Sequence, residues 1–366
     1  MAASPLHELS RRGVSIWVDT LSRELLETGE LERLRDEDAV VGVTSNPTIF
    51  EKALSAGGWY DDQLRDVLAR QDDPKEIFLE LAVEDVLRAC ALFRPVWERT
   101  GGVDGFVSLE VDPGLAYDRE GTFAEAMRLH ELVARPNLFV KIPGTEPGLG
   151  AIEDCIAEGR SINVTLIFSL QRHAAVVEAY LRGLERLAEA GGDLAGVSSV
   201  ASFFVSRVDT EADRRLEELG RPDLQGRLAV ANAKLAYQQY LETFSGPRWE
   251  ALAARGARPQ RCLWASTSTK NPAYRDVLYV EELIGPATVN TMPLETIAAF
   301  RDHGVVRDTL TEGVAEARAL LDELAAAGLD YEDVVAVLER EGVEKFADSF
   351  AALLSGIRER RAVLAA

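Results

Sequence analysis

The sequence predicts an α/β protein, a (β/α)8 TIM barrel with additional C-terminal helices. Three observations carry that expectation. Eight short apolar, β-branched runs alternate with longer helical patterns, and each run is apolar at nearly every position rather than at every second one. Such strands are buried on both faces, as in a parallel sheet under helices. The third observation is length: 366 residues suit one closed barrel with an extension.

The elements follow in order. Residues 14–19 (VSIWVD) form the first expected strand, followed by a helical pattern over 21–35. The second strand, 40–45 (VVGVTS), precedes helical patterns over 60–70 and 75–99. Strands at 105–111 (GFVSLEV), 138–143 (LFVKIP) and 161–168 (SINVTLIF) are trailed by helices over 122–134, 149–157 and 170–189. The sixth, 197–205 (VSSVASFFV), leads into the longest helical pattern, 211–244. The last two, 261–267 (RCLWAST) and 287–293 (ATVNTMP), are followed by 274–283 and 294–303. Eight strands, each trailed by helix, are the signature of a closed barrel. Residues 306–366 are acidic, Ala/Leu-rich and helical in period, and are expected as helices packed outside the barrel. With no linker and no internal repeat, the chain 1–366 reads as one domain. The competing architecture is a doubly wound open sheet, which usually has fewer strands and a Gly-rich first turn.

Composition narrows the function. At 47% hydrophobic and 28% charged residues the proportions are globular, and no run of about 18 apolar residues exists to span a membrane. A net charge of −21 argues against nucleic-acid or anionic-membrane partners, which require basic surface. It also repels phosphorylated metabolites, so such a substrate needs a local cationic pocket. Cys90, Cys155 and Cys262 show no CxxC spacing and are too few for a disulfide framework. His7, His130, His173 and His303 are scattered, with no HExxH and no Cys/His cluster, so no metal site is expected. No phosphate-binding Gly-rich motif is present, which leaves nucleotide cofactors without support. The N-terminal MAASPLHELSRRGVS lacks an apolar signal core. The expectation is a soluble, cytoplasmic protein.

Ionisable residues in apolar strands are the informative exceptions. Asp19, Glu110 and Lys141 each interrupt a buried run near its C-terminal end, the face where barrel enzymes place their chemistry. Burying an unpaired charge costs several kcal/mol, so such residues are paired, neutralised or functional. Asn46, Asn163, Thr165 and Ser202 are the polar residues of neighbouring strands. Lysine is scarce, six residues against 34 arginines, and only Lys141 sits inside a β-run. One reading is an interior ion pair of Lys141 with Glu110 or Asp19. The other is a desolvated amine that attacks a carbonyl to form a Schiff base, with one carboxylate shuttling protons and one acting as base. Asn46 precedes Pro47 and also suits a helix N-cap, a reading that can coexist with a functional one. Asp112 and Asp118 suit loop or cap positions, and Phe203 and Phe204 suit core or pocket wall.

At these residues the sequence resembles the transaldolases. The segments are GVTSNPTIFEKA (42–53), SLEVDPGLAYD (108–118), NLFVKIPGTEPGLGAI (137–152), INVTLIFS (162–169), VASFFVSRVD (200–209) and LWASTSTKNPAY (263–274). The resemblance implies a metal-free, cofactor-free class I enzyme of the non-oxidative pentose phosphate pathway. Such an enzyme moves a dihydroxyacetone unit from sedoheptulose 7-phosphate or fructose 6-phosphate to glyceraldehyde 3-phosphate or erythrose 4-phosphate. It implies Lys141 as the Schiff-base lysine, Glu110 as acid/base acting through a water, and Thr165 as that water's positioner. Asp19 then takes the proton of the C4 hydroxyl. Asn46, Asn163, Ser202 and Phe204 belong to the substrate pocket, and Arg207 to the phosphate. The chain departs from the family's usual Arg-containing ASFRN segment by reading ASTSTKNP, which makes Lys270 the candidate second phosphate cation.

Two further readings compete: a class I aldolase that releases free dihydroxyacetone, and a catalytically silent barrel acting as a binding scaffold. The expected partners are phosphorylated sugars, with no nucleic acid and no membrane, and the expected assembly is a monomer or homodimer.

Overall fold

Helix α1 (Pro5–Arg11) leads into β1 (Val14–Val18) of the computed structural model, which describes residues 4–55 and 58–364. Helices α2 (Arg23–Glu27) and α3 (Glu30–Glu37) precede β2 (Val40–Val43). Next come α4 (Pro47–Ser55), α5 (Asp61–Leu68) and α6 (Pro74–Arg99), then β3 (Val107–Glu110). The chain continues as α7 (Arg119–Val133), β4 (Leu138–Pro143), α8 (Glu146–Ala157), β5 (Ile162–Ile167), α9 (Leu170–Glu189) and β6 (Ser199–Phe204). Three helices, α10 (Ser206–Glu218), α11 (Leu228–Thr243) and α12 (Gly246–Ala253), lead to β7 (Arg261–Ala265). After α13 (Leu278–Glu282), β8 (Thr288–Met292) and α14 (Leu294–His303) come the C-terminal α15 (Val314–Ala326) and α16 (Tyr331–Leu364). The eight strands close in sequence order, all parallel, with β8 pairing back to β1. The chain is therefore a (β/α)8 barrel with extra C-terminal helices. Of the expected domain, 1–366, residues 1–3, 56–57 and 365–366 lie outside the described residues.

All eight expected strands are present, each within two residues of its expected limits. The helices differ more. The single helix expected over 211–244 is two, because Gly220 (φ +69°) and Gly226 (φ +71°) take left-handed backbone around the turn Pro222–Leu224. The helix expected over 21–35 is likewise broken at Gly29 (φ +74°). The helix expected over 274–283 shrinks to α13, and α1 and α12 had no counterpart in the sequence reading. The caps behave as their residue types suggest. Asp118 accepts from the Gly121 amide at the start of α7, and Ser169 accepts from the Arg172 amide at the start of α9. Asp112 accepts from Gly114 and pairs with Lys75, so both aspartates hold loops and helix starts.

Aromatic side chains fill the barrel beneath the C-terminal ends of the strands. Phe106 and Phe139 stack with ring centroids 4.0 Å apart, and Trp17 lies 5.9 Å from Phe139. Gly42 permits this packing, since a Cβ there would sit 2.6 Å from the Trp17 indole. Gly42→Ala is expected to destabilise the fold by about 1–3 kcal/mol, the usual range for overpacking a core. A thermal melt checks it, and an unchanged midpoint would mean that the indole shifts freely.

Helix α16 crosses the mouth of the barrel. Near its start, the Tyr331 hydroxyl donates to Asn232 of α11 and accepts from the Leu170 amide, the first of α9. Further along, Ser349 hydrogen-bonds Thr48 of α4 at 2.7 Å, and Phe350 packs edge-on against Phe78 of α6, 5.5 Å away. Those anchors all lie in the first turns of helices that follow β2, β5 and β6 or near them, at the C-terminal ends of the strands. The region expected simply outside the barrel thus covers the C-terminal end of its strands.

Candidate active site

Lys141, in the middle of β4, points into the barrel with a side chain only 6% exposed. Strand register sets its neighbours: Glu110 of β3 on one side and Asn163 of β5 on the other. Lys141 Nζ lies 3.4 Å from a Glu110 carboxylate oxygen and donates to the Ser45 carbonyl at 3.2 Å. Among the described residues neither Glu110 oxygen accepts a hydrogen bond, and the buried Thr165 Oγ1 has no partner either. Buried polar atoms without partners are rare, and the two groups flank the lysine ready for a ligand or water. The pair is thus an ion pair by distance with unused hydrogen-bonding capacity.

Burial pushes the Glu110 carboxyl up to about 7, with the nearby charge of Lys141 opposing the shift and that of Asp19 adding to it. A carboxyl poised near neutrality can both give and take a proton. Asp19, just past the end of β1, has a different environment: half-exposed, with one oxygen accepting from the Thr44 hydroxyl at 2.8 Å. Two carboxylates in unlike surroundings can divide acid and base roles.

A cavity of about 70 Å³ opens beside these groups. Asp19, Asn46, Lys141, Thr165, Ser202, Phe204 and Arg207, all expected from sequence, line it. Asn46 is also the helix N-cap that the sequence suggested, since its side-chain oxygen accepts from the Ile49 amide at the start of α4. Asn163 sits one shell behind, donating to Ser108 at 3.1 Å and accepting from Ser202 at 2.7 Å. Those bonds aim the Ser202 side chain. A bulge after Thr165 shapes the wall: Leu166 takes φ +59°, and β5 spends three residues where β6 spends two.

Arg207, at the start of α10, is held by aromatic rings rather than by carboxylates. Its guanidinium lies 4.9 Å from the Phe204 ring and 5.8 Å from Phe346. Burial draws its pKa below the ordinary arginine value, against the opposing charges of Asp19 and Glu110. Among the described residues this half-buried cation has no ion-pair partner, which suits an anionic ligand. Lys270 does not line the cavity. It stands on the exposed loop after β7 and donates to the Ser268 hydroxyl at 2.7 Å.

Sequence reasoning missed Phe346, which α16 sends to within 5.8 Å of Lys141 Nζ. It also missed Thr44 and Ser45, whose oxygens hold Asp19 and Lys141. The TSNP segment was the available signal for the latter two. A roomier cavity of about 400 Å³ lies at the opposite end of the barrel. Its Arg261 is engaged by Asp104 and Ser15, and its Arg258 by the carbonyls of Gly101 and Gly102, so it presents no comparable reactive group.

Comparison with known proteins follows the same residues. The family model described as Transaldolase/Fructose-6-phosphate aldolase matches residues 16–357. A transaldolase of Acidothermus cellulolyticus is 57% identical over 356 residues, covering 96% of each chain. Transaldolases of Parafrankia sp. and Mycolicibacterium paratuberculosis are each 54% identical, covering 98% and 95% of both chains respectively. With the family model matched over nearly its whole length, and over half of its residues shared with these enzymes, the chain belongs to the transaldolase/fructose-6-phosphate aldolase family.

Proposed function

We propose that the chain is a transaldolase that carries a dihydroxyacetone unit on Lys141 from a ketose phosphate to an aldose phosphate. The observation that carries this reading is the buried Lys141 amine, 3.4 Å from a carboxylate with free lone pairs and facing a cavity rimmed by unpaired Arg207. The Lys141 amine attacks C2 of fructose 6-phosphate or sedoheptulose 7-phosphate. Glu110, through a water oriented by Thr165, protonates the departing hydroxyl, and the imine forms. Asp19 takes the C4 hydroxyl proton, the C3–C4 bond breaks, and its electron pair passes to the iminium nitrogen. The aldose phosphate leaves, and the enamine on Lys141 adds to the aldehyde of glyceraldehyde 3-phosphate or erythrose 4-phosphate. Glu110 then serves the reverse hydration that frees the new ketose. Asn46 and Ser202 hold the hydroxyls of the three-carbon unit, with Asn163 orienting Ser202. Phe204 and Phe346 exclude water from the carbanion equivalent. Because Phe346 comes from α16, barrel and C-terminal helices serve one site, which supports treating the chain as one domain.

The names of the relatives favour transfer over release of free dihydroxyacetone. Incubation with fructose 6-phosphate tests the choice: consumption that requires added erythrose 4-phosphate supports transfer, and steady release of dihydroxyacetone without acceptor overturns it.

The phosphate grip gives a separate expectation. Arg207 offers a bidentate fork, Lys270 a compact point charge. Arg207→Ala should raise KM for phosphorylated substrates about ten- to a hundredfold, as for loss of a charged hydrogen bond. Unphosphorylated analogues should suffer less. Lys270→Ala should act in the same direction more weakly, and Lys270→Arg should retain much of the function. Equal losses on both substrate types would assign these residues to the fold.

A further inference from the structure

Three lysines stand apart in this acidic chain. Lys75 pairs with Asp112 and Glu125, Lys141 with Glu110, and Lys234 with Glu282. Among the described residues Lys52, Lys270 and Lys345 have no carboxylate partner, although acidic groups outnumber basic ones 61 to 40. These three do not scatter. They gather with Arg207: its charge, then burial, then the charges of Lys270 and Lys52 all draw the Lys345 ammonium below its ordinary value. Asp19 and Glu110 offset part of the Arg207 charge, but among the described residues none of the four cations has an ion-pair partner, and their mutual repulsion is relieved by an anion.

The geometry of α16 explains how Lys345 arrives. Its neighbour Phe346 lies 5.8 Å from the Arg207 guanidinium and 5.8 Å from Lys141 Nζ. One turn further, Ser349 is hydrogen-bonded to Thr48 at 2.7 Å, and Phe350 is packed on Phe78. The helix is thus fixed across the mouth with Phe346 turned down into the cavity and Lys345 exposed beside it. The β7–α13 loop presents Lys270, which donates to Ser268, and the Tyr274 hydroxyl ties that loop to Asp213 of α10. Lys52 stands on α4, the helix to which Ser349 is tied. No other part of the described surface assembles unpaired lysines in this way.

We propose that Lys345 of the C-terminal helix is a phosphate-binding residue, completing with Arg207 and Lys270 the cation cluster that holds the sugar phosphate. The proposal rests on the transaldolase reading of the site and adds a residue that lies outside the barrel. It gives α16 a role in substrate selectivity: the helix that shields the imine also contributes charge to the phosphate that delivers the sugar.

The test compares Lys345→Ala and Lys345→Arg with the unaltered chain. It measures kcat/KM for glyceraldehyde 3-phosphate and for unphosphorylated glyceraldehyde, and competitive inhibition by inorganic phosphate. Lys345→Ala should lower the preference for the phosphorylated acceptor about tenfold and weaken phosphate inhibition by a similar factor. Lys345→Arg should restore most of both. Equal losses on the two acceptors, unchanged phosphate inhibition, or an arginine variant as impaired as the alanine variant would overturn the proposal. Borohydride trapping with fructose 6-phosphate on the same preparations separates the two claims. Absence of adduct on Lys141 in the unaltered chain overturns the Schiff-base reading. Adduct in both chains with unaltered phosphate selectivity overturns the role of Lys345 alone.

Discussion

Lys141→Arg should leave a folded protein with turnover lowered on the order of 10⁴–10⁶-fold, the range seen when a covalent nucleophile is removed. Arginine keeps a positive charge beside Glu110, so the buried carboxylate retains a counter-ion and the fold retains its pairing. What it lacks is an amine that can lose its proton, because a guanidinium stays charged in proteins. The substitution therefore separates the two roles first suggested for this lysine. As an ion-pair partner alone, Lys141 is replaceable by arginine with modest loss of activity. As a nucleophile, it is not. Circular dichroism and a thermal melt establish the fold, and a coupled assay with fructose 6-phosphate and erythrose 4-phosphate measures the loss. Activity within tenfold of the unaltered chain would remove the covalent mechanism.

Glu110→Gln and Asp19→Asn should each lose about 10²–10⁴ in rate, the usual contribution of a general acid or base, but at different steps. Glutamine at 110 cannot shuttle a proton to the departing hydroxyl, so trapping of any adduct becomes slow. Asparagine at 19 leaves imine formation intact and stalls cleavage, so the adduct that accumulates carries the whole ketose phosphate. The pH dependence has a definite sign. Glu110 titrates near 7, raised from 4.5, and its protonated form supplies the proton for water loss. The rate of adduct formation should fall as pH rises through about 7, and Glu110→Gln should remove that limb. Time-resolved mass analysis of trapped protein reads all three effects. Identical rates and masses in the two variants would mean that the roles are misassigned.

The barrel was legible because burial on both faces leaves a mark that helices do not share: eight mostly apolar, β-branched runs with few polar interruptions. Lys141, Glu110 and Asp19 were readable for the same reason, as charges in places where burial is costly. Helix boundaries were less legible. Gly220, Pro222 and Gly226 contained the signal for the break between α10 and α11, but the apolar period runs on through both helices. The C-terminal region was least legible. Its period identifies a helix with one apolar face, and Phe346 reads as one more core residue of that face. Which end of the barrel the helix covers depends on Thr48, Phe78, Leu170 and Asn232, distant in sequence and without any local mark. Lys270 shows the reverse limit. Its place in a motif drew attention, yet the loop holds it outside the cavity, where the cluster with Lys345 and Arg207 gives it company no single segment reveals.

The central claim is that Lys141 carries the substrate covalently. The most direct test incubates the unaltered chain with fructose 6-phosphate alone, reduces with borohydride, digests the protein and locates the modified lysine by mass. The account predicts a single three-carbon dihydroxyacetone adduct on Lys141, formed as glyceraldehyde 3-phosphate departs. An unmodified Lys141, or an adduct on Lys52, Lys75, Lys234, Lys270 or Lys345 instead, would contradict it.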